Sequence, residues 1–208
     1  MMTCFLLIFL AYLLGSIPTA VWVGRKYHGV DPREHGSKNA GATNTFRVLG
    51  KKSGLLVLII DVAKGALASI IPLFILLDYT ENQLLLCQLA TSTACVIGHV
   101  FPLFAQFRGG KGVATSLGII IGLNPFSAGI SIGIFLLVFL LSKYVSLGAL
   151  ITALLYPFVS YFIVKEDARI MILFTILLGF MIVVLHRKNI RRLMNGEESR
   201  MNLSKREA

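Results

Sequence analysis

Residues 36–47 read GSKNAGATNTFR, a run of small and amide side chains ending in a cation and lying between two long apolar stretches. Gly36 and Gly41 permit left-handed backbone and close approach. Ser37, Asn39, Thr43 and Asn44 offer neutral hydrogen-bonding groups, and Arg47 can grip an oxyanion with two parallel N–H bonds. The same residues also suit a capped re-entrant turn whose Asn and Ser side chains satisfy its own backbone. A second run, Arg108-Gly109-Gly110-Lys111-Gly112, leads straight into the apolar VATSLGIII. Glycines let consecutive N–H groups face one anion, a helix N-terminus adds partial positive charge, and Lys111 adds a full one. A tight glycine turn with snorkelling cations gives the same pattern, and the spacing is not that of a Walker A loop. The third run is HRKNIRR at 186–192. His186 and Asn189, three apart, share a helix face. The histidine can position or deprotonate a hydroxyl near neutral pH, and the arginines can hold phosphate or simply anchor a cytoplasmic helix end. Ser146, in KYVS, adds one hydroxyl, either to a site or as a helix N-cap.

Other polar residues carry weaker signals. Asp61 and Lys64 lie three apart inside an apolar segment, where ionisable groups are functional by default or neutralise each other. His99 in GHVFP reads as a bonded interior histidine, and His28 and His35 have no evident partner. Cys4, Cys87 and Cys95 fall in apolar segments without CxxC spacing and read as small core residues. The sequence has no HxxxxD pair and no cluster of carboxylates, histidines or cysteines suited to a metal. No metal and no cofactor are therefore expected. The chemistry that remains is transfer from a donor already activated, with the protein orienting two anions and neutralising a leaving phosphate.

The elements that must position these groups are membrane helices. Of 208 residues 56% are hydrophobic and 14% charged, outside the range of an ordinary soluble domain. The formal charge of +10 sits in short links between apolar runs, so it points to membrane anchoring and contact with lipids rather than to nucleic acid. Apolar runs fall at about 3–24, 54–77, 84–105, 113–123, 126–142, 146–164 and 170–185, against about 20 residues per crossing. This predicts an all-α integral membrane protein with seven crossings, five or six being the alternatives. The basic links 25–53 and 187–192 place themselves in the cytoplasm, which puts the N-terminus outside, the C-terminus inside, and every motif loop on the cytoplasmic face. The opening MMTCFLLIFLAYLLGS lacks a basic region before its apolar run and reads as a retained first helix. Residues 1–195 are expected to form one polytopic domain without internal repeats, and the polar tail 196–208 to be disordered.

In order along the chain, GSKNAGATN with Arg47, RGGKGVAT, KYVSL and HRKNIRR resemble the motifs of the acyl-phosphate:glycerol-3-phosphate acyltransferases, the PlsY family, over residues 1 to about 195. The resemblance implies a monomeric, multi-pass enzyme of the bacterial cytoplasmic (inner) membrane, active in phospholipid biosynthesis. It would move a fatty acyl chain from acyl phosphate to the sn-1 hydroxyl of glycerol 3-phosphate. By the same resemblance Ser37, Lys111, His186 and Asn189 are the catalytic candidates. Asn39, Arg47, Gly109, Gly110, Gly112 and Ser146 are the substrate-binding candidates, joined by Asn44 from its hydrogen-bonding groups in the first run. The proton acceptor is either the donor's own phosphate or His186. Three positions depart from the family pattern: Lys38 stands where glycine is common, Ala149 where a second serine often follows, and Lys188 where glutamate is frequent. Two other functions would use similar residues. A permease for phosphorylated metabolites would need polar residues leading to both faces, but the outer links offer little beyond Asp78, Glu81, Glu166 and Asp167, which suit anionic cargo poorly. A lipid-phosphate phosphatase would show a histidine nucleophile with paired arginine motifs, and these are not seen.

Overall fold

A computed structural model describes residues 2–201, and among these the regular structure is helical, with no strand. The helices are α1 (Met2–Gly15), α2 (Thr19–His28), α3 (Ala42–Ile75), α4 (Glu81–Val100), α5 (Val113–Leu123), α6 (Pro125–Ser142), α7 (Val145–Phe158), α8 (Arg169–Leu185) and α9 (Arg187–Met194). Among the described residues five stretches are long and apolar enough to cross a membrane: Met2–His28, Ala42–Ile75, Glu81–Ala105, Pro125–Ser142 and Val145–Ile163. The pair α8 and α9, bent by 61°, makes a sixth if it counts as one span. The expected seventh crossing, 113–123, is α5, whose 11 residues rise only about 16 Å against a hydrocarbon core of about 30 Å. Large apolar side chains stand exposed along the spans, among them Phe5 at 70%, Phe74 at 73% and Leu141 at 79%. Hydrocarbon, rather than water, is the solvent that accepts them.

The chain divides into two compact units, residues 1–123 and 124–208. In the first, α1 packs on α4 and α3 on α5. These contacts are close because they are made at small residues. A Cβ on Gly15 would fall on the Cys95 carbonyl, and one on Gly65 on the Thr115 carbonyl, so backbone meets backbone. Helices α1 and α4 run in the same direction, which brings Cys4 to Cys87 in a disulfide with Cα atoms 6.1 Å apart. The expectation that both are simple core thiols is corrected. A pairing across 83 residues of sequence depends on helix packing that no local spacing reveals. Cys95 is a buried thiol.

The first span is broken at Ser16–Pro18, between α1 and α2, and α3 supplies what the break leaves unbonded. Lys64 Nζ donates to the carbonyls of Gly15 at 3.2 Å and Ile17 at 3.3 Å, at the C-terminal end of α1. Asp61 accepts from Thr19 Oγ1, at the start of α2, at 3.0 Å, and pairs with Lys64 at 2.8 Å. The cation thus meets the negative end of one helix dipole and the anion the positive end of the next. Both side chains are almost wholly buried, at 3% and 2% exposure. Helix α3 has its own break at Gly50 (φ 83°, ψ 179°), which separates the motif-bearing turns 42–49 from the span. Helix α4 starts with a capping box formed by Thr80 and Gln83.

In the second unit α6 packs on α7 and α7 on α8. Asn124 caps α6 by accepting from Ser127 N, and Pro125 stands at the first helical position, where a missing N–H is harmless. Helix α7 passes at Val159–Ile163 into a π-helical turn just after Pro157, which cannot donate to the helical ladder. Part of the tail expected to be disordered is held. Met201 N donates to Lys143 O at 2.9 Å, and Arg200 Nε to Tyr144 Oη at 3.2 Å. Residues 202–208 lie outside the described residues.

Candidate functional site

In the first unit the loop from Gly29 to Gly41 is built around two buried polar groups. Asn44, 1% exposed in the first turns of α3, accepts from Ser37 N at 2.8 Å and donates to Pro32 O at 2.7 Å and His35 O at 3.1 Å. Its oxygen and both amide hydrogens therefore have backbone partners, so the self-satisfied turn that the sequence allowed is built by Asn44 itself. Gly36 (φ 58°) packs under it. A Cβ there would stand 2.5 Å from Asn44 Oδ1 and 3.6 Å from Arg47 Cδ. Ser37, Asn44 and Arg47 are thus neighbours, with Arg47 exposed and Ser37 half-buried. Asn39 lies over the start of α3, its Oδ1 2.9 Å from where a Cβ on Gly41 would be. Lys38, at the position where glycine is common, has φ 58°, a left-handed conformation that glycine adopts without penalty.

The second buried group is Arg33, which sequence reasoning counted only as a basic link residue. At 8% exposure its guanidinium binds Asp31 through Nε (3.1 Å) and a terminal nitrogen (2.8 Å). The other terminal nitrogen donates to Ala105 O at 2.9 Å. Asp31 also caps the 3-10 turn Pro32–Glu34 by accepting from Arg33 N. It takes a further bond from Arg25 at 3.0 Å. Hydrogen bonding from Arg33 outweighs the effect of burial and holds the Asp31 carboxyl down at about 2. The carbonyl that Arg33 grips belongs to the 3-10 turn Leu103–Ala105, three residues before Arg108, so this ion pair joins the two motif loops. Its one sequence signal was an Asp two residues before an Arg in a proline turn. Of the unassigned histidines, His28 Nε2 lies 2.7 Å from Ser53 Oγ and His35 Nδ1 3.2 Å from Asp31 O.

The run Arg108–Gly112 joins α4 to α5. Gly112 (φ 79°) immediately precedes α5, and its carbonyl accepts from Ser116 N. Gly110 and Gly112 are buried, Gly109 and Lys111 half-buried, and Arg108 exposed. Two of the N–H groups expected to face an anion are already donated. Gly109 N bonds Val100 O at 3.2 Å and Gly110 N bonds His99 O at 3.1 Å, both at the end of α4.

In the second unit Ser146, His186 and Asn189 are buried at 7%, 3% and 6% exposure. Ser146 is not an N-cap, since Tyr144 holds that position and Ser146 lies in the first turn of α7. Its Oγ donates to Glu198 Oε1 at 2.7 Å, and Asn189 Nδ2 donates to the same oxygen at 2.7 Å. Arg192 Nε donates to Glu198 Oε2, also at 2.7 Å. One carboxylate therefore gathers three side chains from α7 and α9. Burial opposes its ionisation, but the bonds from Arg192, Asn189 and Ser146 prevail and hold it below the usual carboxylate range. Glu198 lies in the polar tail 196–208, for which the composition predicts disorder. The signal that reveals it is Asn195-Gly196. Gly196 (φ 72°) ends α9 with Glu197 N bonded to Arg192 O and Gly196 N to Leu193 O, a Schellman reversal that turns the chain back. His186 Nδ1 lies 2.8 Å from Ile182 O. A carbonyl only accepts, so Nδ1 carries a hydrogen and donates it to Ile182 O.

The comparisons with known proteins converge. The family model described as glycerol-3-phosphate acyltransferase matches residues 5–196. Glycerol-3-phosphate acyltransferase 2 of Bacillus cereus is 44% identical over 207 residues, covering 100% of both chains. Glycerol-3-phosphate acyltransferase of Listeria welshimeri is 44% identical over 196 residues, covering 94% of this chain and 96% of that one. Among solved structures, the glycerol 3-phosphate form of PlsY (YgiH), an integral membrane glycerol 3-phosphate acyltransferase, matches with a TM-score of 0.85 and 38% identity over 96% of each chain. Its lysophosphatidic acid form matches with a TM-score of 0.83 and 37% identity over the same shares. With motif order, helical architecture and near-complete coverage in agreement, this integral membrane chain belongs to the glycerol-3-phosphate acyltransferase family.

Proposed function

We propose that this acyltransferase takes its acyl chain from an acyl phosphate and places it on the sn-1 hydroxyl of glycerol 3-phosphate, giving lysophosphatidate and inorganic phosphate. The hydroxyl oxygen attacks the acyl carbonyl, the bond from that carbon to the phosphate oxygen breaks, and phosphate leaves. The hydroxyl proton goes to the departing phosphate or to Nε2 of His186. Phosphate is already a good leaving group, so no nucleophilic side chain is required. The observation that carries the reading is the loop Arg108–Gly112, where buried glycines and two cations lead directly into α5.

In this reading Ser37, Lys111, His186 and Asn189 act on the reacting phosphates and hydroxyl. Asn39, Arg47, Gly112 and Ser146 bind substrate, while Asn44, Gly109 and Gly110 shape the loops that do so. Residues 1–195 form one polytopic domain. It crosses the bacterial cytoplasmic membrane seven times, the segments flanking the short α5 completing that crossing, with the N-terminus outside and the motif loops in the cytoplasm, and works as a monomer. The acyl chain of the donor stays in the hydrocarbon, which the exposed apolar side chains of the spans support.

The test supplies purified protein with palmitoyl phosphate and glycerol 3-phosphate, without acyl-CoA or metal, beside Lys111→Ala. Equal release of phosphate and sn-1 lysophosphatidate, lost in the variant, is the expected result. In a parallel reaction with palmitoyl-CoA in place of palmitoyl phosphate, folded protein that uses the thioester but not the acyl phosphate would overturn the donor assignment. Full activity in Lys111→Ala would remove the loop from the mechanism.

A further inference from the structure

His99 stands near the end of α4 at 7% exposure, with a different neighbour on each side of its ring. Nδ1 lies 3.7 Å from Asp61 Oδ1, the oxygen that also receives Lys64 and Thr19. Nε2 is the nearest heavy atom to where a Cβ on Gly110 would stand, with His99 Cε1 and Cδ2 at 3.0 and 3.2 Å from that point. The main chain makes the same connection, since Gly110 N donates to His99 O at 3.1 Å. A Cβ on Gly109 would fall on the His99 carbonyl and within 2.6 Å of Pro102 Cδ. Neither glycine has room for a side chain, and both of their N–H groups are bonded to α4. The packing of His99 is thus a sufficient reason for glycine at 109 and 110, with no anion needed to explain it.

We propose that His99 is a positioning residue that sets the height of the Arg108–Gly112 loop and so the place where Lys111 and the start of α5 meet a substrate phosphate. The proposal rests on the reading of that loop as the phosphate site. It assigns the anion to the Lys111 side chain and to the backbone from Lys111 to Val113, and it gives Gly110 the task of fitting against the imidazole and Gly109 that of fitting against the end of α4. It also gives the Asp61–Lys64 pair a second use, since the carboxylate that closes the break between α1 and α2 also faces His99.

The experiment is a double-mutant cycle on the purified full chain, with kcat and KM measured for glycerol 3-phosphate and palmitoyl phosphate. His99→Ala is expected to raise KM for one or both substrates by about tenfold while kcat changes less, whereas a merely structural loss would lower active protein and leave KM alone. Gly110→Ala is expected to raise KM in the parent, but by less than about twofold in the His99→Ala background, because its clash is gone. A second measurement uses the unmutated protein. Amide exchange with and without glycerol 3-phosphate should show added protection at Lys111, Gly112 and Val113 and none at Gly109 and Gly110. An equal KM penalty for Gly110→Ala in both backgrounds, or substrate protection at Gly109 and Gly110, would overturn the proposal alone. Absence of protection at every amide from 108 to 113 would remove the phosphate-loop reading, and the proposal with it.

Discussion

Replacing Asp31 by asparagine is expected to loosen the first motif loop by an amount that depends on pH in a specific way. The Asp31 carboxyl falls from an ordinary 3.8 to about 2 in the folded chain, which corresponds to about 2 kcal/mol favouring the ionised, folded form. Because the folded value is the lower one, this stabilisation is complete above about pH 5. About half is lost by pH 3, and the rest disappears as the pH falls through 2. Asparagine keeps an oxygen to accept from Arg33 but not the charge, so Asp31→Asn should lose about 2 kcal/mol at neutral pH, or about 4 to 8 °C in Tm. Asp31→Ala should lose more, about 3 to 5 kcal/mol, because Arg33 is then a buried cation without its carboxylate. The assay is thermal unfolding in detergent from pH 7 to pH 3, parent and variants side by side. An unchanged Tm for Asp31→Asn at pH 7, or a gap between parent and variant that fails to narrow as the pH falls, would refute the reasoning.

Two further outcomes are expected. At Lys38, whose φ is 58°, Lys38→Val should destabilise by at least about 1 kcal/mol while Lys38→Gly should be neutral or stabilising, since β-branched residues tolerate left-handed backbone worst; thermal unfolding gives the order, and a reversed order would show that the loop is not held at that φ. Glu198→Ala removes one acceptor from Ser146, Asn189 and Arg192 and should cost on the order of 3 kcal/mol in the second unit, with a loss of about tenfold or more in kcat/KM; unchanged stability and kinetics would mean that the carboxylate does not organise those residues.

The membrane class and the motif loops were legible in the sequence because each rests on local composition: apolar runs of span length, glycines beside cations, and amides beside a helix start. What the sequence did not display depends on contacts between distant segments. Cys4 and Cys87 pair only because α1 and α4 run side by side, and Arg33 matters only because it reaches Ala105. The apolarity of residues 113–123 predicts a crossing, but not that its helix has only 11 residues, about half of a full span. The tail misled for a different reason. Its polar composition is that of a disordered end, but one glycine reverses the chain and one carboxylate finds three donors. Lys38 shows the opposite relation, where a departure from the family's glycine became intelligible only once its backbone angle was known.

The closeness of Asp61 and Lys64 along the chain has a bearing on how the protein is made. An aspartate or a lysine alone near the middle of an apolar segment opposes entry into the bilayer by about 2.5 to 3.5 kcal/mol. Here the opposite charges are one helical turn apart on the same segment, so α3 carries its own neutralisation as it leaves the translocation machinery. The carbonyls of Gly15 and Ile17 and the hydroxyl of Thr19 have been synthesised by then and can receive the pair at once, whereas His99 emerges later. The cluster is therefore assembled in the order of translation, with no stage at which α3 must wait for a later helix to shelter an isolated charge.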